Sequence, residues 1–222
     1  MPKEIKTITL KIFGGLASVN CYLIKTNDGF ILIDTGDSGK RHELEKEINN
    51  AGCEPGNLNL IVITHGDSDH TGNAAYLREK FDTKIAMHQG DSGMVQKGDM
   101  LWNRNGNLLS KMISPFMGLG KSNRFTPDFY VEEGYDLSEY GLNAKIIHIP
   151  GHSLGSIGVL TKGGNLFCGD LFTNTKKPAI NSIMDDKVAA EASIEKLKDL
   201  NVDIVHPGHG KSFRMEFVIL VR

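Results

Sequence analysis

Leu60-Ile61-Val62-Ile63-Thr64-His65-Gly66-Asp67-Ser68-Asp69-His70-Thr71-Gly72 is the stretch on which the fold of this chain turns. Its first four residues form a short, continuously apolar run of the kind a strand shows when both of its faces are buried. The run stops at Thr64, and two imidazoles and two carboxylates follow within six residues. A loop of that composition can wrap around a cation, and mixed nitrogen and oxygen donors suit zinc, iron or manganese. Taken singly, a histidine before a helix is a surface or core residue, and an aspartate in a loop is a turn-former. Their crowding at a strand end is what points to chemistry.

Upstream, residues 5–13 and 19–26 alternate in the manner of strands around Gly14-Gly15, which predicts an antiparallel hairpin. Asn27-Asp28-Gly29 is a strong turn signal before a third strand at 30–34. Leu44, Ile48 and Ala51 sit at helical spacing, and Gly52 stops that helix. Downstream, a helix is expected at about 73–81, strands at 84–88, 129–131, 144–149, 156–161, 165–168 and 202–205, and an amphipathic helix at 187–200 with Val188, Ala192, Ile194 and Leu197. Both halves run strands, helix, strand, so the expected class is α/β, with two packed mixed sheets and helices outside. Segment 93–125 differs: Met94, Met100, Trp102, Met112, Phe116 and Met117 with several glycines read as a helical insertion or lid.

The chain has 222 residues, 40% of them hydrophobic, enough for one layered domain over 1–222. Lys and Arg number 25 against 27 Asp and Glu, so a net charge of −2 provides no field for collecting phosphate backbones, and a nucleic-acid partner is not expected. The start, Met1-Pro2-Lys3-Glu4-Ile5, has no signal-type apolar core, and no run of about 18 apolar residues occurs. A cytoplasmic protein without membrane contact is the expectation. Cys21, Cys53 and Cys168 are scattered and odd in number, so they read as small buried hydrophobes, not as a disulfide or thiolate site.

Further candidates follow in order: Asp34 at the end of an early strand, His152 in Pro150-Gly151-His152-Ser153, Asp170 in Cys168-Gly169-Asp170, and His209 in Pro207-Gly208-His209-Gly210. With the turn from His65 to His70, these five motifs resemble the metallo-β-lactamase superfamily over nearly the whole chain, and Asp67 stands where that family's H-x-H-x-D-H signature has its second histidine. The resemblance implies a four-layer αββα sandwich. It implies one metal site from His65, Asp67 and His152, a second from Asp69, His70 and His209, and Asp170 as the bridge. Asp34 would brace the metal loop through hydrogen bonds, as residues behind metal ligands do. Two divalent ions, zinc before iron or manganese, lower the pKa of a shared water, polarise a carbonyl and hold a developing oxyanion. Asp69, beside the nucleophile, would orient it or accept its proton. His42, His88, His148 and His206 match no motif and read as structural or surface residues.

Asp67 changes the electrostatics. Two divalent cations with two aspartates and a hydroxide keep one positive charge, and a third carboxylate cancels it. The cluster becomes a weaker Lewis acid and shifts toward harder metals such as iron or manganese. Aspartate is also shorter than histidine, so the first site is weak or empty unless the loop or the metal moves. The flavodiiron proteins place a glutamate at this position and bind two irons, but no flavodoxin-like domain accompanies the motif within these residues.

The resemblance names a mechanism and not a substrate. The first expectation is hydrolysis of an ester-like carbonyl, thioester, lactone or β-lactam, in a small-molecule substrate. The second is an iron-dependent redox enzyme. The third is a binding module without turnover. The Met and aromatic residues of 93–125 would line an acyl pocket, or else cover the sheet or form a homodimer contact. Lys97, Arg104, Lys111, Lys121 and Arg124 would meet an acidic group of the substrate or simply solvate a helix face.

Overall fold

The computed structural model describes residues 4–104 and 118–219. Strands β1 (Glu4–Ile12) and β2 (Ala17–Lys25) pair antiparallel, with Ile8 opposite Cys21 and Leu10 opposite Val19. β3 (Phe30–Ile33) adds antiparallel to β2, after which the sheet changes character. β4 (Leu58–Val62), β5 (Ile85–Met87) and β6 (Phe129–Tyr130) each add in parallel. Parallel neighbours need crossover connections. They are supplied by α1 (Arg41–Asn50) between β3 and β4, and by α2 (Ser68–Thr71) and α3 (Ala74–Phe81) between β4 and β5. α4 (Gln89–Lys97) follows β5.

The second half runs β7 (Ala144–His148), β8 (Ile157–Thr161), β9 (Asn165–Phe167), β10 (Phe172–Asn174), β11 (Ala179–Ile180), α5 (Lys187–Lys198), β12 (Ile204–His206), β13 (His209–Gly210), β14 (Phe213–Arg214) and α6 (Glu216–Ile219). Its main sheet has the order β14-β12-β9-β8-β7, and β11-β10-β13 form a small third sheet.

Alternation along the strands sorts side chains into three cores. Ile31, Ile33, Leu60 and Val62 meet Ile146, Ile157, Val159 and Phe167 between the two large sheets. Leu32, Ile61 and Ile63 point the other way, against Leu44 and Ile48 of α1 and Leu77 and Phe81 of α3. Ile147, Leu166 and Val205 pack against Ala190, Ile194 and Leu197 of α5. These are the layers helix, sheet, sheet, helix. The run from Leu60 to Ile63 is continuously apolar because residues on both of its faces are buried.

Some expectations need correction. Val188 and Ala192 are exposed, and the inward stripe of α5 is Ala190, Ser193, Ile194 and Leu197. Asp186 starts the helix as its N-cap, accepting a hydrogen bond from the Ala189 N–H. β10, β11, β13 and β14 are too short to show a period in sequence. α4 starts at Gln89, ahead of the segment read as an insertion; Lys111, Met112, Phe116 and Met117 lie outside the described residues. No helix among the described residues is long and apolar enough to cross a membrane. Cys21, Cys53 and Cys168 are buried and unpaired.

Candidate metal centre

The motif residues converge at one edge of both large sheets, each following or ending a strand. Asp34 follows β3, the turn from His65 to His70 follows β4, His152 follows β7, Asp170 follows β9 and His209 lies in β13. After β4 the chain bends through Thr64, His65 and Gly66 and is extended at Asp67, the N-cap residue of the one-turn helix α2. The Asp67 carbonyl accepts from the His70 and Thr71 N–H groups, and that turn presents Asp69 and His70 beyond Asp67.

Among the described residues, three groups bring a potential ligand atom from each member within 4.8 Å of the others: His65, Asp67 and His152; Asp69, His70 and His209; and His65, His70 and Asp170. The first is tight: Asp67 Oδ2 lies 2.9 Å from His152 Nε2 and 3.6 Å from His65 Nε2. The shorter aspartate side chain therefore reaches. In the second, Asp69 Oδ2 is 3.4 Å from His209 Nε2 and 4.0 Å from His70 Nε2. Asp170 spans toward both, with Oδ1 3.4 Å from His70 Nε2 and Oδ2 3.3 Å from His209 Nε2.

Every ring in the cluster turns its Nε2 inward because its Nδ1 is engaged behind it. His152 Nδ1 donates to the Ile183 carbonyl at 2.8 Å and His209 Nδ1 to the Ser18 carbonyl at 2.6 Å. His70 Nδ1 lies 2.8 Å from Asp34 Oδ2. Thr64 Oγ1 donates to that same Oδ2, so it accepts from His65 Nδ1 at 3.0 Å. Asp34 also accepts from the Thr64 N–H through Oδ1. It thus braces two histidines at once while holding a backbone φ of 60°, a conformation most side chains avoid.

Three atoms in the centre, His65 Nε2, His70 Nε2 and Asp170 Oδ1, are buried and have no hydrogen-bond partner. Orphaned buried polar atoms of this kind are costly. All three are donors to a metal by chemistry, and they face one another. Gly208 keeps the space open, since a Cβ there would stand 2.3 Å from Asp170 Oδ1 and 2.6 Å from His70 Cε1. The residues fit a pair of divalent cations.

The cluster attracts positive charge strongly. Burial works against charge on His70, yet the carboxylates of Asp34, Asp69 and Asp170 outweigh it and push the imidazole up to about 10. At His152 burial is again opposed, here by the hydrogen bond and charge of Asp67, and the ring rises to about 9. Burial alone would raise the Asp67 carboxyl, but His152, His65 and Arg104 hold it well below the usual carboxylate range. Asp170 is held far below that range against its own burial, by the charge of His70 and by hydrogen bonding to His209.

Several supporting residues carry no motif and were not singled out from sequence as site residues. Asp91, buried in α4, accepts from the Gly66 N–H at 2.9 Å, Ser153 Oγ at 2.6 Å and the Gly155 N–H at 2.7 Å. One carboxylate thereby ties the His65 loop to the His152 loop. Asn20 and Tyr22 of β2 hold the Pro207 carbonyl, and Asn20 also donates to the Gly210 carbonyl, which seats His209 against the first sheet. The only available signal was a polar residue, Asn20, inside an apolar strand. Arg104 does not solvate a helix face: its side chain is 14% exposed and donates to Asp67 Oδ1 at 2.6 Å.

The remaining histidines lie apart from the centre. His206 stacks on Phe167 and bonds Ser212 and Asn165 through its two nitrogens, and burial lowers it to about 4. His88 and His148 stack with ring centroids 4.3 Å apart.

Residues 14–209 match the Metallo-beta-lactamase superfamily. A probable metallo-hydrolase of Methanocaldococcus jannaschii is 30% identical over 210 residues, spanning 91% of this chain and 92% of that protein. The hydroxyacylglutathione hydrolase GloC of Haemophilus influenzae is 31% identical over 196 residues, 86% of this chain and 85% of its own. Among solved structures, TTHA1623 in a di-iron-bound form superposes with a TM-score of 0.72 at 27% identity over 96% of both chains. The B3 metallo-beta-lactamase BLEG-1 has a TM-score of 0.73 at 21% identity, over 96% of this chain and 95% of its own, and shares the fold. The chain belongs to the metallo-β-lactamase superfamily and is a metallohydrolase.

Proposed function

We propose that this chain hydrolyses an ester-like carbonyl in a small molecule, with a thioester the first substrate to try. The observation that carries the reading is the inward convergence of His65 Nε2, His70 Nε2 and Asp170 Oδ1, buried and unpartnered, between two ligand triads. A relative named as a hydroxyacylglutathione hydrolase, matched over most of both chains, supports the thioester. His65, Asp67 and His152 would hold one cation, Asp69, His70 and His209 a second, and Asp170 would touch both. Bound there, divalent cations supply Lewis acidity toward a carbonyl oxygen and a water acidic enough to attack near neutral pH.

The chain's own part is placement. The Nδ1 contacts to Ile183, Ser18, Asp34 and Thr64 lock each ring with its Nε2 toward the cations. Asp69, with a side chain 24% exposed, faces the solvent side of the cluster and is the group we assign to orient the water and take its proton. The donor set has three carboxylates and four imidazoles, and the di-iron-bound neighbour has a similar fold; both support iron in the pair.

The test is metal analysis of protein prepared without added zinc, followed by thioester, lactone, β-lactam and phosphodiester substrates with Zn²⁺, Mn²⁺ and Fe²⁺. Thioester turnover that stops on chelation, and bound iron, are the expected results. Activity that survives loss of both His152 and His209, or turnover of the phosphodiester alone, would overturn the reading. Two tightly held zincs per chain, unaffected by Asp67→His, would overturn the iron assignment.

A further inference from the structure

Arg104 lies just beyond α4 and reaches three separate segments of the site. Its Nη1 meets Asp67 Oδ1 at 2.6 Å and the Met100 carbonyl at 3.3 Å. Nη2 is 3.4 Å from both Asp67 Oδ2 and the His152 carbonyl, and Nε donates to Asp185 Oδ2 at 2.7 Å. The guanidinium is thus spoken for on every nitrogen, so it is not a free cation waiting for a substrate.

The two oxygens of Asp67 are divided. Oδ1 takes the short contact with Arg104 at 2.6 Å, while Oδ2, 3.4 Å from Arg104 Nη2, faces His152 Nε2 at 2.9 Å and His65 Nε2 at 3.6 Å. Arg is suited to this, since its planar fork fixes a carboxylate's orientation in a way a lysine ammonium does not. Its charge matters equally. A metal pair with a third carboxylate would lose its net positive charge, and a fixed guanidinium in contact with that carboxylate restores one unit.

We infer that Arg104 is a positioning residue matched to Asp67: it aims Oδ2 at the first metal position and offsets the charge that an aspartate adds where the family's signature has a histidine. The inference rests on the proposed metal centre. It also revises the weaker Lewis acidity expected from Asp67 alone, because the compensating charge comes from a residue 37 positions away in sequence.

The test is a double-mutant cycle read by metal binding. Wild type, Arg104→Gln, Asp67→His and the double variant are stripped and titrated with Zn²⁺ by calorimetry against a competing chelator, and metal per chain is counted. Arg104→Gln is expected to weaken the first site by about 10–100-fold, the range for a residue behind a metal ligand, while the second site keeps its affinity. In the Asp67→His background the same change is expected to leave binding unchanged or to strengthen it, since a guanidinium beside a metal-bound imidazole only repels the cation. Equal effects of Arg104→Gln in both backgrounds would overturn the match.

Asp185→Asn, which loosens Arg104 without touching Asp67, is expected to weaken the first site by less than Arg104→Gln. An equal loss at both sites in either variant would mark a general structural role and overturn the inference. A wild-type chain that takes up no metal would overturn the metal centre itself, an outcome distinct from a wild type with two ions and an indifferent Arg104→Gln.

Discussion

The two triads share residue types but are braced differently. Behind Asp69, His70 and His209, the supports are the Ser18 carbonyl, Asp34 with its Thr64 partner, and the hold of Asn20 and Tyr22 on the loop of His209. These are hydrogen bonds made by strands and their immediate extensions. Behind His65, Asp67 and His152 stand the Ile183 carbonyl, the buried Asp91 and an ion pair to Arg104 from the segment after α4. His65 of the first triad shares the brace of Thr64 and Asp34 with His70, but Asp67 of that triad takes its charge partner, Arg104, from outside the sheets. Equal ligand counts therefore need not give equal sites.

The largest effect is expected where the comparison collapses, at Asp170, which faces both triads. Asp170→Ala should reduce bound metal from both and lower turnover by more than the roughly 100-fold that a change behind the ligands can cause. Metal counting and single-turnover rates check this, and retention of both ions would mean the triads do not share Asp170. Gly208→Ala comes next. Its Cβ would crowd Asp170 Oδ1 and His70, at a cost of about 1–3 kcal/mol, and should strip the second triad first. Thermal melts with and without metal separate the folding cost from the loss of binding.

Asp34→Asn keeps the shape and tolerates the positive φ, but removes the charge against His70 Nδ1. It is expected to weaken metal at the second triad by about 10-fold or more and the first by less, because His65 is reached only through Thr64. A larger loss at the first triad would reverse the assignment of Asp34.

The smallest effect concerns the metal-free protein. His70 at about 10 and His152 at about 9 both lie above the ordinary 6.5 of an unfolded chain. The folded state then binds protons more tightly, so this stabilisation is complete below about pH 6.5 and is lost as pH rises through 9 to 10. Asp67 and Asp170, held low, act in the opposite sense: their contribution is present above about pH 3.8 and fades as pH falls further. Stripped protein should lose melting temperature between pH 7 and 10, whereas metal-loaded protein, with its imidazoles already neutral ligands, should not. A flat profile for stripped protein would show that the cluster is not holding protons.

Much of this was readable in advance. The turn from His65 to His70, His152, Asp170 and His209 are local signals, each a short run of ligand types beside a glycine at a strand end, and the structure brings them together. Asp34 was placed behind the ligands by resemblance, and it bonds His70 and Thr64 there. The strands of the first sheet were legible because β4 has both faces buried and β1 alternates. The phase of α5 was misread because Val188 and Ala192 are apolar yet outward, and only the packing of Ala190, Ile194 and Leu197 on the second sheet decides which stripe is core.

Asp91 and Asn20 as site residues, and the contact of Arg104 with Asp67, were not legible, for one shared reason. Each works through partners far away in the chain: Asp91 bonds Gly155 across 64 positions and Asn20 bonds Gly210 across 190. A carboxylate in a helix or an arginine in a loop has the same appearance whether it solvates a surface or closes a buried network.

What the sequence determined by itself is the set of candidate metal donors and the alternation that builds two sheets, because ligand chemistry and strand period are properties of residues close in the chain. Whether the extra carboxylate of Asp67 stands alone or beside a compensating charge was decided only by tertiary structure. Folding, not adjacency in the chain, puts Arg104 there.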